Sequence, residues 1–144
     1  MENWKTTNRL RLLLRFETKS AEVCRKALER ITAGPARELL EPIALDHERH
    51  LEELIRLTAM DGRETPFSQL PEPKVLSDAL SVLDMDIPEE TMMQICLQWE
   101  EHLVQAYEEA LAERHPEDIR SLLERYHTVE ARHVASLRST LGKK

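Results

Sequence analysis

Apolar side chains recur along four segments of this chain at steps of three or four residues, a spacing that admits little besides packed helices. The first stripe runs Leu10, Leu14, Glu17, Ala21, Cys24, Leu28 and Ile31, and the second Ala36, Leu40, Ile43, His47, His50, Leu54 and Leu57. The third runs Met93, Leu97, Glu100, Val104, Tyr107 and Leu111, and the fourth Ile119, Leu123, Tyr126, Glu130, His133 and Leu137. Such seams belong to helices packed nearly parallel to one another, which predicts an all-α four-helix bundle. With 4% aromatics and three glycines, the composition argues against a sheet protein.

Local signals divide the chain into two helical hairpins within one domain of 144 residues. Hairpin 1 covers about 7–60 and turns at Gly34-Pro35, with Pro35 acceptable in the first turn of its second helix. Hairpin 2 covers about 86–141. It opens at Asp86-Ile87-Pro88-Glu89, where Asp86 suits a cap and Glu89 a capping box. Its second helix begins near Pro116, with Glu117 and Asp118 at the positive end of the helix dipole. The connection from about 61 to 85 contains Pro66, Pro71 and Pro73 and then Val75, Leu76, Ala79, Leu80 and Leu83, and is long enough to cross the bundle. Pro42 is expected either to kink the second helix ahead of its histidines or to delay its start.

A net charge of −7 with no basic stripe excludes a nucleic-acid wrapping role. No apolar run reaches the length of a membrane span, and the first residues do not start a signal peptide. Cys24 and Cys96 fall within helical patterns with no CxxC pair, the expectation for buried thiols in a cytoplasmic protein.

Shifting the first half of the chain by 83 residues lays it on the second without a gap. Phe16 falls on Trp99, Glu17 on Glu100, Leu28 on Leu111, Leu40 on Leu123, Arg49 on Arg132 and His50 on His133. Equal spacing in both halves implies a pseudo-two-fold axis at which polar core residues meet. Glu17, His47, His50, Glu100, Glu130 and His133 are the strongly ionisable side chains on the stripes. A buried carboxylate without partners costs several kcal/mol or gives up its charge. Three carboxylates at one level with three imidazoles therefore require a shared cation or a complete hydrogen-bond network. A pair of divalent metals meets that requirement, since these donors suit iron, manganese or zinc.

The arrangement resembles the ferritin-like diiron superfamily of rubrerythrins and bacterioferritins, and in build the small bacterial four-helix-bundle families on the same plan. That family places a Glu on helices one and three and Glu-x-x-His on helices two and four. Glu100 and Glu130-Ala131-Arg132-His133 match fully, and Tyr107 stands seven residues after Glu100 as it often does in the family. Glu17 and His50 match in the first half, while His47 occupies a glutamate's place. The resemblance implies a ferritin-like bundle of two pseudo-two-fold-related hairpins joined by a long crossover. It also implies a non-haem centre of two Fe ions, with Mn or Zn as alternatives. Glu17, His47 and His50 would mainly hold one ion. Glu100, Glu130 and His133 would mainly hold the other, with Glu130 bridging. The activity implied is iron oxidation and handling, or chemistry on dioxygen or peroxide, of the ferroxidase or peroxidase type. A small homo-oligomer, most simply a dimer, fits better than a storage cage, because no fifth helix follows the fourth.

Tyr107 and Tyr126 stand near the ligand positions, as hydrogen-bond donors to the ligands or as core filler with a bonded hydroxyl. Asp46, Arg49 and Arg132 are placed either to orient the ligands or, as the simpler expectation, to form solvated salt bridges. Glu101, His102, His115 and His127 fall off the stripes and are expected at the surface, and Trp99 reads as a packing or dimer-contact residue. The competing function is a metal-free bundle acting as a stress or scaffolding interaction module. Its Glu and His residues would close a hydrogen-bond network, a reading that His47 favours.

Overall fold

The computed structural model of the protein describes residues 4–59 and 80–142, and all regular structure among them is helical. Four long helices, α1 (Trp4–Arg30), α2 (Pro35–Ala59), α3 (Glu89–Leu111) and α4 (Glu117–Thr140), account for most of it. Most of the connection expected between 61 and 85, including Pro66, Pro71, Pro73, Val75, Leu76 and Ala79, lies outside the described residues. Its last apolar positions do not: Leu83 is buried in the core and Leu80 packs against it.

The helix ends follow local chemistry. Gly34 takes φ +94° in the turn between α1 and α2, a conformation that costs a glycine little. Arg37, in the first turn of α2, reaches back and donates from Nη1 to the carbonyls of Leu28 (2.9 Å) and Ile31 (2.8 Å). These are carbonyls that the end of α1 leaves without helical partners. Arg120 does the same for Leu111 at 3.2 Å, and both members of that pair stand 83 residues after Arg37 and Leu28. The capping box expected at Asp86–Glu89 does not form. Pro88 is the N-cap of α3, and a proline offers no side-chain acceptor, so Glu89 and Glu90 in the first turn face the dipole instead. The acids Glu117 and Asp118 do open α4 as expected. Pro42 lies inside α2 and does not delay its start, which is at Pro35.

In the bundle, α1 packs on α2 and on α3, and α4 packs on α3 and on α2. Residue pairs across α1 and α3 descend in opposite order: Arg9 meets Glu113, Glu17 meets Tyr107 and Ser20 meets Trp99, so these helices are antiparallel. Between α2 and α4, Asp46 meets His133 and Glu53 meets Tyr126, again antiparallel.

The apolar core forms two clusters rather than one. The first contains Val23, Cys24, Ala27 and Leu28 of α1, Leu40 and Ile43 of α2, Met93, Cys96 and Trp99 of α3, and Val134 and Leu137 of α4. The second contains Leu10, Leu13, Leu54, Leu103, Tyr107, Leu122, Leu123 and Tyr126. On every helix the ionisable residues fall between the two clusters, so apolar packing on both sides carries them into the interior. Trp99 is fully buried, stacks on Phe16 with ring centroids 5.7 Å apart, and donates its indole N–H to Ser20. It is a packing residue. Cys24 and Cys96 are buried free thiols.

Leu103 is wholly buried in the second cluster, on the helix that carries Glu100. Leu103→Ala should lower the unfolding free energy by about 2–5 kcal/mol in a urea titration while leaving the helical signal of the folded state unchanged.

Candidate metal centre

All six ionisable stripe residues meet at one level of the bundle. Glu17, His47, Glu100 and Glu130 have no solvent exposure, and His50 and His133 are buried beside them. His50 Nδ1 lies 3.0 Å from Glu17 Oε2, and His133 Nδ1 lies 3.0 Å from Glu100 Oε1. These contacts are the same interaction in the two halves, with 33 residues between the partners each time.

The halves part company at His47 and Glu130, which the offset of 83 places opposite one another. His47 Nδ1 lies 2.8 Å from Glu17 Oε1 and His47 Nε2 lies 2.7 Å from Glu100 Oε2. Carboxylates only accept, so both ring nitrogens donate and the ring is an imidazolium joining the α1 and α3 carboxylates. Glu130 has no such bonds. Its oxygens approach His50 Nδ1 at 3.2 Å, His47 Nδ1 at 3.5 Å and His133 Nδ1 at 3.7 Å, but neither completes a hydrogen bond, although both are buried.

Two sets of donors are close enough to share an ion. One donor atom from each of His47, Glu100, Glu130 and His133 lies within 4.8 Å of the others, and the same holds for Glu17, His50 and Glu130. Glu130 belongs to both. His47 falls with Glu100 and His133 rather than with Glu17 and His50, so the grouping differs from the one the resemblance implied. The donors are imidazole nitrogen and carboxylate oxygen throughout, which suits a divalent transition metal.

The surrounding polar groups are placed to orient these donors. Tyr107 donates to Glu17 Oε2 at 2.5 Å. Tyr126 instead donates to Glu53 and stacks on the His50 ring, with centroids 3.8 Å apart. Asp46 was expected in a solvated salt bridge. It accepts from His133 Nε2 at 2.8 Å, while Arg49 lies 3.6 Å from its other oxygen. A carboxylate on the outer nitrogen fixes the ring of His133 and directs Nδ1 inward. In sequence Asp46 lies one residue off the stripe, about 100° around α2 from His47, so spacing alone favours the salt bridge over the orienting role it takes here. Its signal was its position between α2 and α4, which only packing reveals. His115 is not at the surface either: its side chain is 1% exposed, between Thr6 Oγ1 and the carbonyl of Ala110. The off-stripe residues Glu101 and His127 do lie at the periphery, paired with Arg138 and Glu108.

The charges depend on one another. Burial alone would raise the Glu17 carboxyl, but hydrogen bonds from His47 and His50 hold it down to about 2. Burial opposes charge on His47, and the Glu100 and Glu130 carboxylates overcome it, holding the imidazolium well above its usual range. His50 is raised to about 9 against its own burial by Glu130 and Glu17. Burial and the nearby Glu17 charge raise Glu130 to about 7.

Comparison with protein-family models, curated proteins and solved structures finds nothing that matches this chain.

These shifts predict how the metal-free protein responds to pH. A raised group contributes stability that is complete below its ordinary value and is lost as pH rises through the folded value. That window runs from 4.5 to about 7 for Glu130 and from 6.5 to about 9 for His50. Glu17 is depressed, so its contribution is present above 4.5 and lost as pH falls through about 2. The thermal midpoint of protein stripped on a chelating resin should therefore fall on both sides of an optimum near pH 5. His50→Gln should flatten the decline between pH 6.5 and 9. An unchanged slope in that variant would remove His50 from the network.

Proposed function

We propose that this chain is a ferritin-like, non-haem dinuclear metal protein that acts in iron oxidation and handling or on dioxygen or peroxide. The observation that carries the reading is Glu130. Both oxygens of Glu130 are buried outside any hydrogen bond, with His50 Nδ1 at 3.2 Å as the nearest imidazole, which leaves room in its coordination for a further positive partner. A divalent cation is such a partner, and the donor groupings around Glu130 support two of them. In this reading Glu17 and His50 would hold one ion, Glu100 and His133 with His47 would hold the other, and Glu130 would serve both. Two bound iron ions would supply redox electrons and open coordination positions for a small oxidant. The chain contributes the rest. Asp46 fixes His133, Tyr107 fixes Glu17, and the two apolar clusters cover the donors from either end of the bundle. The antiparallel contacts support the two-hairpin, crossover topology of that family, since α2 and α3 then run parallel and Ala59 and Glu89 stand at opposite ends of the bundle. A homodimer in the cytoplasm belongs to the same proposal.

A second reading rests on a specific observation. His47, with a carboxylate on each nitrogen, bridges Glu17 and Glu100 as a cation would. With all three imidazoles charged, they balance the three carboxylates and the bundle closes without metal, as a scaffolding or stress-related module.

The two readings separate on metal content. Protein purified from iron- and manganese-supplemented cells should carry about two ions per chain by elemental analysis. Glu130→Ala should abolish that binding with helicity retained; unchanged metal content would refute the ligand assignment. Because ligating imidazoles must lose their protons, affinity should rise steeply with pH.

His47→Glu gives the sharper contrast. A dinuclear site should keep or strengthen its metal binding when it gains the carboxylate. In a closed, metal-free network the same substitution would leave four buried carboxylates with two imidazoles, and the thermal midpoint should collapse.

A further inference from the structure

Of the neighbouring helix pairs, α2 and α4 are the most loosely packed. The space between them is a groove of about 490 Å³ that opens to solvent on one side and reaches His50 on the other. A volume of that size falls within the range of roughly 300–1,000 Å³ typical of small-molecule sites. Helical spacing builds its walls. Asp46, Arg49, His50 and Glu53 share one face of α2, and Arg125, Val129 and Arg132 share the facing side of α4.

Three arginines at the mouth of one groove stand out in a chain whose net charge is −7. The two acids of the groove are already engaged. Asp46 accepts from His133, and Glu53 accepts from Tyr126 and lies 3.3 Å from Arg56. Arg49 is 76% exposed and reaches Asp46 only at 3.6 Å. Arg125 and Arg132, both exposed, form no ion pair among the described residues. The groove therefore presents excess positive charge on planar guanidinium forks, which match carboxylate and phosphate oxygens two at a time. Its floor has a different character. The Tyr126 ring, stacked on His50, and Val129 offer an apolar surface, and His50 turns Nδ1 inward to Glu17.

We propose that the α2–α4 groove binds a small organic oxyanion, its carboxylate or phosphate held by Arg49, Arg125 and Arg132 and its apolar body against Tyr126 and Val129. The inference goes beyond the metal reading and does not need it, because every residue that would touch the ligand belongs to the groove wall. Such a ligand would stand over His50, at the point where the interior comes closest to solvent.

The test uses the full chain stripped of metal on a chelating resin, titrated in a calorimeter at low salt with inorganic phosphate and, separately, with benzoate. One-site saturable binding of either probe is expected. A preference for phosphate would mark a phosphorylated ligand, and a preference for benzoate a carboxylate with an apolar body. The double variant Arg125→Gln/Arg132→Gln should weaken binding about tenfold or more, and added chloride should weaken it further. The variant's thermal midpoint, compared with that of the parent, guards against loss of fold. Both arginines are exposed, so the two values should agree. No saturable binding of either probe would overturn the proposal, as would affinity unchanged in the double variant. Because the protein is metal-free in this experiment, a failed metal reading leaves the result intact.

Discussion

The fold depends on a layer of charge held between two apolar clusters. Glu17, His47, His50, Glu100, Glu130 and His133 are drawn into the interior because each lies on a seam whose neighbours above and below are leucines, valines, cysteines and aromatics. Taking such groups from water is costly, and only mutual pairing or a cation offsets it. Much of the surrounding detail serves that compensation. Tyr107 gives a proton to a Glu17 oxygen, and Asp46 reaches from the adjacent helix face to hold His133.

The near-symmetry of the layer, and its one break, set the chemistry. Glu17 with His50 and Glu100 with His133 are matched pairs at matched distance. His47 and Glu130 occupy equivalent positions with opposite chemistry. One is a cation with both donors in short hydrogen bonds, and the other is a carboxylate met only by longer imidazole approaches, the shortest 3.2 Å. In the metal reading, His47, Glu100, Glu130 and His133 would offer one ion two imidazoles while Glu17, His50 and Glu130 would offer the other a single one, so the two positions would differ in affinity. In the metal-free reading, His47 itself supplies the missing positive charge.

How much of this was legible beforehand varied with the range of the interaction. The four helices, the turn at Gly34-Pro35 and the six ionisable residues of the central layer all followed from local spacing, because helical periodicity determines which side chains share a face. The offset of 83 also anticipated interactions it was not used to find. Arg37 and Arg120 close equivalent helix ends, and Phe16 stacks on Trp99, its own counterpart. The failures involved contacts between segments distant in sequence. Asp46 looks like a solvent-facing acid until α4 brings His133 against it. His115 looks like a loop residue until Thr6 covers it from 109 residues away. The capping box failed for a local reason: Pro88 took the N-cap position itself.

Placing the ionisable layer in mid-bundle also determines the relative height of the helices. Leucine seams alone tolerate sliding, because one apolar residue replaces another at each step of about 5.4 Å along the axis. Here a slip of one turn by any helix would set a carboxylate or imidazolium against Leu103, Leu54 or Leu123 and leave its former partners uncompensated. The polar layer thus acts as a register pin: it lowers the stability the interior could otherwise reach, and in return leaves the four helices a single way to line up.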